Sequence, residues 1–248
     1  MSRQSPRALV PLASGAEEME TTAIVDVLRR AEVEVVLAGL TGTDPVTCSR
    51  GLRLQPDTAL SDVTGDFDLI ALPGGAEGAR LLSEDERVLD RLRQQDAAGR
   101  LVAAICAAPI VLVAAGVGAD KEMTSHPSVV TWKFLVLDRR WIVVPGEARR
   151  PSGPERSRSY VRIRERRRTT PGTTRRAETA SELPCHDTSA RPLVSTHGRY
   201  VEDPVVRDGH LITSRGPGTA IEFALALVEA TCGPERAAEV RSPMMIPS

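Results

Sequence analysis

The stretch Leu101-Val102-Ala103-Ala104-Ile105-Cys106-Ala107-Ala108-Pro109 decides the fold. Leu101 to Ile105 is an unbroken apolar run of strand length, the pattern of a strand covered on both faces. Ala107 to Ala115, closed by Gly116, has the composition of a helix, so Cys106 falls at a strand-to-helix turn. Outward from there the same alternation repeats. Ala8 to Ala13 reads as a short buried strand ended by Ser14-Gly15. Glu17 to Arg30 reads as a helix with Met19, Ala23, Ile24, Val27 and Leu28 on one face and acids in its first turn. Glu34 to Ala38 and Asp68 to Leu72 are further strands, the second closed by Pro73-Gly74-Gly75. Glu84 to Gln95 has helical spacing, with Val88, Leu89 and Leu92 inward. Val205 to Ser214 gives strand segments around a turn at Asp208-Gly209, and Thr219 to Ala230 a closing helix before Gly233. Such alternation implies an α/β fold: a mostly parallel sheet covered on both faces, with sites beyond the carboxyl ends of its strands.

Composition narrows the function classes. The 248 residues are 41% hydrophobic and 26% charged, which suits a single domain spanning 1–248. A net charge of −1 gives no overall attraction to nucleic acid or an acidic membrane. No apolar run is long enough to span a bilayer, and Met1 to Val10 lacks the apolar core of a secretory signal. Cys48, Cys106, Cys185 and Cys232 are widely spaced without a Cys-x-x-Cys pair, so neither a disulfide scaffold nor a structural zinc site is expected. The average hides a split. Residues 131–198 hold 15 Lys+Arg against 7 Asp+Glu, leaving 17 against 26 of the chain's 32 and 33 elsewhere. This basic segment contains Arg162-Ile163-Arg164-Glu165-Arg166-Arg167-Arg168 and is broken by Pro151, Pro154, Pro171, Pro184 and Pro192. Trp132 to Val144 is apolar enough for a short strand; beyond Val144 no period is sustained, and the rest reads as loop or disorder.

Three segments meet at the site end of such a sheet: Gly15 to Glu20, Leu72 to Gly75, and Ile105 to Pro109. At a sharp strand-to-helix turn Cys106 is pushed outward beside free backbone N–H groups, like a nucleophile elbow without the flanking glycines of that motif. A helix N-terminus there favours thiolate over thiol and lowers the cysteine pKa. The bland alternative is a buried structural cysteine. Gly75 and Ala107 N–H groups are candidate oxyanion donors. Glu17 and Glu18 read as acids matched to the helix dipole, whereas Glu20 lies near the inward face. His126, in Ser125-His126-Pro127, is the one histidine before the insertion.

These residues sit in motifs that resemble a known family. Gly15-Ala16-Glu17-Glu18-Met19-Glu20-Thr21, Asp44-Pro45-Val46-Thr47-Cys48-Ser49-Arg50, Leu72-Pro73-Gly74-Gly75, Ala103-Ala104-Ile105-Cys106-Ala107-Ala108-Pro109 and Ser214-Arg215-Gly216-Pro217-Gly218-Thr219 occur in this order. Together they resemble the DJ-one (Parkinson disease protein seven) family of the ThiJ/PfpI superfamily, over about 7–130 and 199–243. The resemblance implies a flavodoxin-like three-layer sandwich and a homodimer, unless the insertion blocks it. It implies a reactive Cys106 hydrogen-bonded to a protonated Glu20, because an ionised carboxylate beside the sulfur would raise the cysteine pKa. It further implies cofactor-independent deglycase and glutathione-independent glyoxalase chemistry on methylglyoxal, glyoxal or their protein and nucleotide adducts. In that chemistry His126 assists or orients, Arg50, Arg215 and Pro217 line the substrate pocket, and no metal or organic cofactor is needed. Oxidative-stress sensing at Cys106, chaperone activity, and cytoplasmic residence with nuclear and mitochondrial pools belong to the same implication.

Gln55 stands where the family has a familiar cysteine, so redox chemistry is not expected there, and Cys48 reads as a packed or surface thiol. The segment at about 131–198 adds roughly 65 residues, well beyond ordinary loop lengths. Its arginines suggest weak RNA contact, while its composition favours a stretch without a fold of its own. Cys185, His186 and His197 lack a fourth ligand and a recognised metal spacing. Two alternatives therefore stand beside the enzyme: a non-enzymatic redox-regulated chaperone, and an inactive insertion-bearing isoform.

Overall fold

The apolar runs become strands β1 (Arg7–Leu12), β2 (Glu34–Gly39), β3 (Val46–Thr47), β4 (Arg53–Leu54), β5 (Thr58–Ala59), β6 (Leu69–Leu72), β7 (Leu101–Ile105), β8 (Glu122–Met123), β9 (Lys133–Leu137), β10 (Arg140–Val144), β11 (Arg199–Tyr200), β12 (Val205–Asp208) and β13 (Leu211–Ser214). The helices are α1 (Glu18–Arg30), α2 (Ala76–Ser83), α3 (Glu86–Ala97), α4 (Pro109–Ala115), α5 (Pro127–Val130), α6 (Ala220–Cys232) and α7 (Pro234–Arg241). The computed structural model describes residues 5–130, 133–137, 140–144 and 197–246, all in one compact unit.

Seven strands form the main sheet in the order β12-β13-β7-β6-β1-β2-β5, every neighbouring pair parallel except β12 with β13. Side chains alternate across it. Leu9, Ile70, Val102 and Ala104 pack with Leu82, Leu92 and Leu112 on one face. Ala8, Val10, Leu69, Ala103 and Ile105 pack with Ile24, Leu28, Phe223 and Leu227 on the other. Helices α2, α3 and α4 thus cover one face and α1 and α6 the other, which is the expected flavodoxin-like three-layer sandwich. Strand β1 pairs with both β2 and β6, and the connections leaving β1 and β6 go to opposite faces. That is the topological switch of an open α/β sheet, the place where such folds leave a crevice.

Several boundaries differ from the sequence reading. Helix α4 begins at Pro109 rather than Ala107, because Cys106 to Ala108 form a turn first. Helix α2 is additional, its pattern interrupted by Gly78, and α3 begins at Glu86 rather than Glu84 because Glu84 caps α2 and Asp85 caps α3. The glycine has a tertiary cause, since a Cβ at Gly78 would lie 2.8 Å from both N and Cα of Ala16. Helix α7 is additional too; it carries a proline at its start, and Val240 is its one buried residue. Met19 is 61% exposed instead of facing inward. Trp132 to Val144, read as a short strand, contains two, with β9 and β10 paired antiparallel from Lys133↔Val144 to Leu137↔Arg140. The arginine tract at Arg162–Arg168, with its RNA contact, and Cys185-His186 lie outside the described residues. At the far side of that segment the His197 ring is hydrogen-bonded to the Val117 carbonyl at 2.8 Å, and β11 pairs with β8.

Candidate active site

Strand β7 delivers Cys106 to the crevice in a conformation that side chains avoid. Its φ is +64°, left-handed, a conformation that costs energy outside glycine and clusters at functional sites. The surrounding main chain pins it there. Cys106 N–H donates to the Ser214 carbonyl at 2.9 Å, and the Cys106 carbonyl accepts from His126 N–H at 2.8 Å. Ala108 N–H closes the turn onto the Ile105 carbonyl at 2.9 Å. The N–H groups of Gly75 and Ala107 act on the sulfur and favour its thiolate, though more weakly than burial opposes it.

Glu20 reaches the same sulfur from α1. Glu17 holds that helix end by accepting from Glu20 N–H at 2.8 Å, while Glu17 N–H donates to the Gly74 carbonyl at 3.0 Å. Glu20 itself has no solvent exposure. Its Oε2 accepts from Gly74 N–H at 2.8 Å, and the carboxyl is electrostatically coupled to the Cys106 thiol. Oε1 is buried without a further partner. Two glycines make this approach possible. A Cβ on Gly74 would strike Cys106 Cβ at 2.6 Å and Glu20 Oε2 at 2.7 Å, and one on Gly75 would strike the Gly15 carbonyl oxygen at 2.3 Å. Gly75 also has φ +88°, as its turn requires.

Burial pushes the Glu20 carboxyl up to about 7, against the pull of the Gly74 N–H and of Cys106. The Cys106 thiol is pushed up to about 12, first by burial, then by the charge of Glu20 and its hydrogen bond, with the Gly75 and Ala107 N–H groups pulling down. This corrects the expectation of a thiol acidified by a helix N-terminus. The helix starts three residues beyond the sulfur, and burial together with the Glu20 carboxylate outweighs the two N–H groups. The two groups titrate as a coupled pair: a proton on Glu20 removes the carboxylate charge that opposes a thiolate.

His126 stands at the N-terminus of α5. Ser128 N–H donates to its Nδ1 at 3.2 Å, and the Ser128 hydroxyl lies 2.7 Å from the same nitrogen. Nδ1 is therefore an acceptor, and in the neutral ring Nε2 is the donor. A Cβ built on Gly216 would lie 3.5 Å from His126 Cδ2 and 3.9 Å from Cys106 Sγ, so these three residues border one space. Arg50 and Arg215 have polar contacts elsewhere. Their guanidinium groups donate to the carbonyls of Ser49 at 3.3 Å and Glu202 at 3.1 Å, not to Cys106 or Glu20, and Pro217 is half-buried in the loop after Arg215. Glu18, read as a dipole-matching acid, is buried and built into the Arg50 loop. It accepts from Ser49 Oγ at 2.8 Å, Arg50 N–H at 2.8 Å and Leu52 N–H at 3.4 Å. Its spacing from Glu20 on one helix was visible in sequence, but the donors come from more than thirty residues away. Cys48 is buried, as a packed thiol, and pushed up to about 11 by burial and then by Glu18 and Glu17. Among the described residues no cluster of His, Cys, Asp and Glu is arranged to hold a metal, and no helix is long and apolar enough to cross a membrane.

A cysteine on a left-handed strand-to-helix turn, one strand from the switch point of a doubly covered sheet, defines a cysteine-elbow α/β protein. A model of the DJ-1/PfpI family matches residues 6–139 and 177–230, and this chain belongs to that family. It is 37% identical over 244 residues to protein dj-1beta of Drosophila melanogaster, covering 98% of each chain. It is 30% identical over 247 residues to a Caenorhabditis elegans protein named glutathione-independent glyoxalase DJR-1.2, covering 99% of each. The crystal structure of Drosophila melanogaster DJ-1beta superposes with a TM-score of 0.72 at 36% identity, over 99% of this chain and 100% of that one. The family match leaves out residues 140–176, which fall inside the segment read as an insertion.

Proposed function

We propose that this chain is a cofactor-independent cysteine enzyme of the glyoxalase and deglycase kind, acting on small 2-oxoaldehydes or their adducts. The observation that carries the reading is Cys106 on a strained turn, with a fully buried carboxyl and the Gly75 and Ala107 N–H groups acting on its sulfur. With a proton on Glu20, the thiolate adds to the aldehyde carbon: an S–C bond forms and the C=O π pair moves to oxygen. The Gly75 and Ala107 N–H groups, with the Nε2–H of His126, stabilise that oxygen while Glu20 gives up its proton to it. Glu20, now ionised, removes the proton of the former aldehyde carbon to give an enediol and returns it to the adjacent carbon, while the hydroxyl proton passes from the first oxygen to the second and leaves a thioester carbonyl. One carbon is oxidised and its neighbour reduced, so no outside oxidant is required. Water then cleaves the resulting thioester and releases a 2-hydroxy acid. A relative named as a glutathione-independent glyoxalase supports this reading. Arg50 and Arg215 remain the arginines proposed to meet a carboxylate or phosphate on larger substrates.

The test is conversion of methylglyoxal to lactate without glutathione. The intact chain should turn over and Cys106→Ala should fall to background; equal rates in the two would sink the reading. The same cysteine, only partly buried, also suits peroxide sensing through sulfenic and sulfinic acid. Met19 and Leu52, 61% and 53% exposed on the outer side of the site loops, suit burial against a second copy of the chain. Sedimentation velocity should show a dimer that Met19→Lys converts to monomer, and a monomeric intact chain would refute that pairing.

A further inference from the structure

We infer that Gly216 is the specificity-determining residue of the Cys106 site, its missing side chain being the room that admits the substituent of the carbonyl substrate. The inference rests on the catalytic reading above for its substrate class, and on geometry for the rest. The glycines bordering the sulfur are not equivalent. At Gly74 and Gly75 a Cβ would collide with packed atoms at 2.6 and 2.3 Å, so those positions are glycine because main chain and carboxyl must approach closely. At Gly216 the same Cβ meets nothing nearer than 3.5 Å among the described residues, and the two atoms it meets are His126 Cδ2 and Cys106 Sγ. Conformation does not demand glycine either, because φ 162° and ψ −167° are extended backbone open to any residue. What remains is room for a small group at contact distance from the sulfur.

The wall around that volume is stiff. Gly216 N–H donates to Thr219 Oγ1 at 3.2 Å, the Thr219 hydroxyl is 2.9 Å from the Gly216 carbonyl, and it lies 2.6 Å from Ser214 Oγ. Ser214 Oγ is anchored in turn on the Pro204 carbonyl at 2.7 Å. The loop therefore has little freedom to retreat from an added methyl. A group 3.9 Å from Sγ is in van der Waals contact with the sulfur and borders the space that the substituents of any carbon bonded to it must occupy. A methyl at Gly216 leaves the sulfur open to small electrophiles and shuts out those with a bulky group on the reacting carbon.

The experiment compares the full-length chain with Gly216→Ala, whose methyl sits at ordinary contact distances and leaves the fold intact by thermal melting. Alkylation of Cys106 is followed on its own peptide by mass spectrometry, using iodoacetamide and a bulky iodoacetanilide; each forms an S–C bond and expels iodide. Turnover of glyoxal, methylglyoxal and phenylglyoxal is measured alongside. Gly216→Ala should slow the bulky reagent on the order of tenfold more than the small one, with turnover falling in the order of substituent size. Size-graded alkylation without turnover in either chain would uphold the role of Gly216 and overturn the catalytic reading. Equal slowing of both reagents, with the glyoxal-to-phenylglyoxal ratio unchanged, would overturn the role of Gly216 and leave the catalytic reading standing.

Discussion

Glu18 and Glu20 lie two residues apart on α1, both are buried, and their protonation is driven in opposite directions. Glu20 points into the Cys106 crevice, where one main-chain N–H and a thiol are its partners, and burial wins. Glu18 points the other way, into the Arg50 loop. Burial opposes its ionisation too, but the Ser49 hydroxyl and the N–H groups of Arg50 and Leu52 together hold it below the ordinary carboxylate range. The contrast teaches that burial alone does not make a carboxyl into an acid catalyst; the number of donors aimed at it decides. One helix end thus carries a carboxyl with a raised pKa beside the thiol on one side and a loop anchor with a lowered pKa on the other.

The largest effect expected from breaking this contrast is on turnover. Glu20→Gln keeps the shape and an acceptor for Gly74 but cannot move a proton, so methylglyoxal conversion should fall by roughly 10²–10⁴-fold. A Glu20→Gln chain retaining wild-type turnover would remove the carboxyl from the mechanism.

Stability gives a second, independent readout. Because the folded Glu20 pKa is about 7 against an ordinary 4.5, the stability tied to its protonation is complete below pH 4.5. It is lost as pH rises through about 7, by an amount on the order of 3 kcal/mol at most. Glu20→Gln should match the wild type at pH 4.5 and exceed it at pH 8 in urea denaturation; parallel stability curves across that range would contradict the raised carboxyl.

The smallest effect belongs to Glu18→Gln, which leaves part of the Ser49–Leu52 loop without an acceptor and should cost about 1–3 kcal/mol at neutral pH. The sign reverses here. A depressed folded pKa gives stability that is present above the ordinary carboxyl range and lost as pH falls through the folded value. The deficit of Glu18→Gln should therefore shrink toward acid, while the advantage of Glu20→Gln appears toward base. Both variants drifting in the same direction with pH would break the comparison.

The parallel strands were legible because an apolar run bounded by turn residues has few other uses, and Cys106 was legible because its run stops abruptly at small residues. Helix α2 was not, since Gly78 weakens the local pattern for the sake of a contact with Ala16, which comes from another part of the chain. Met19 misled because helical spacing marks an apolar face without saying what covers it. Glu18 was undervalued because its donors lie in a distant loop.

By itself the sequence determined the alternation that makes a doubly covered parallel sheet, the motifs that carry the DJ-1/PfpI resemblance, and the identity of the cysteine at the elbow. Those are properties of local pattern. Only the tertiary structure shows that burial pushes the Cys106 thiol up, that Glu20 is raised where Glu18 is lowered, and that Gly216 alone among the glycines bordering the sulfur would take a Cβ at ordinary contact distances. Desolvation, donor count and steric room depend on atoms brought together from distant parts of the chain, and no local window of residues contains them.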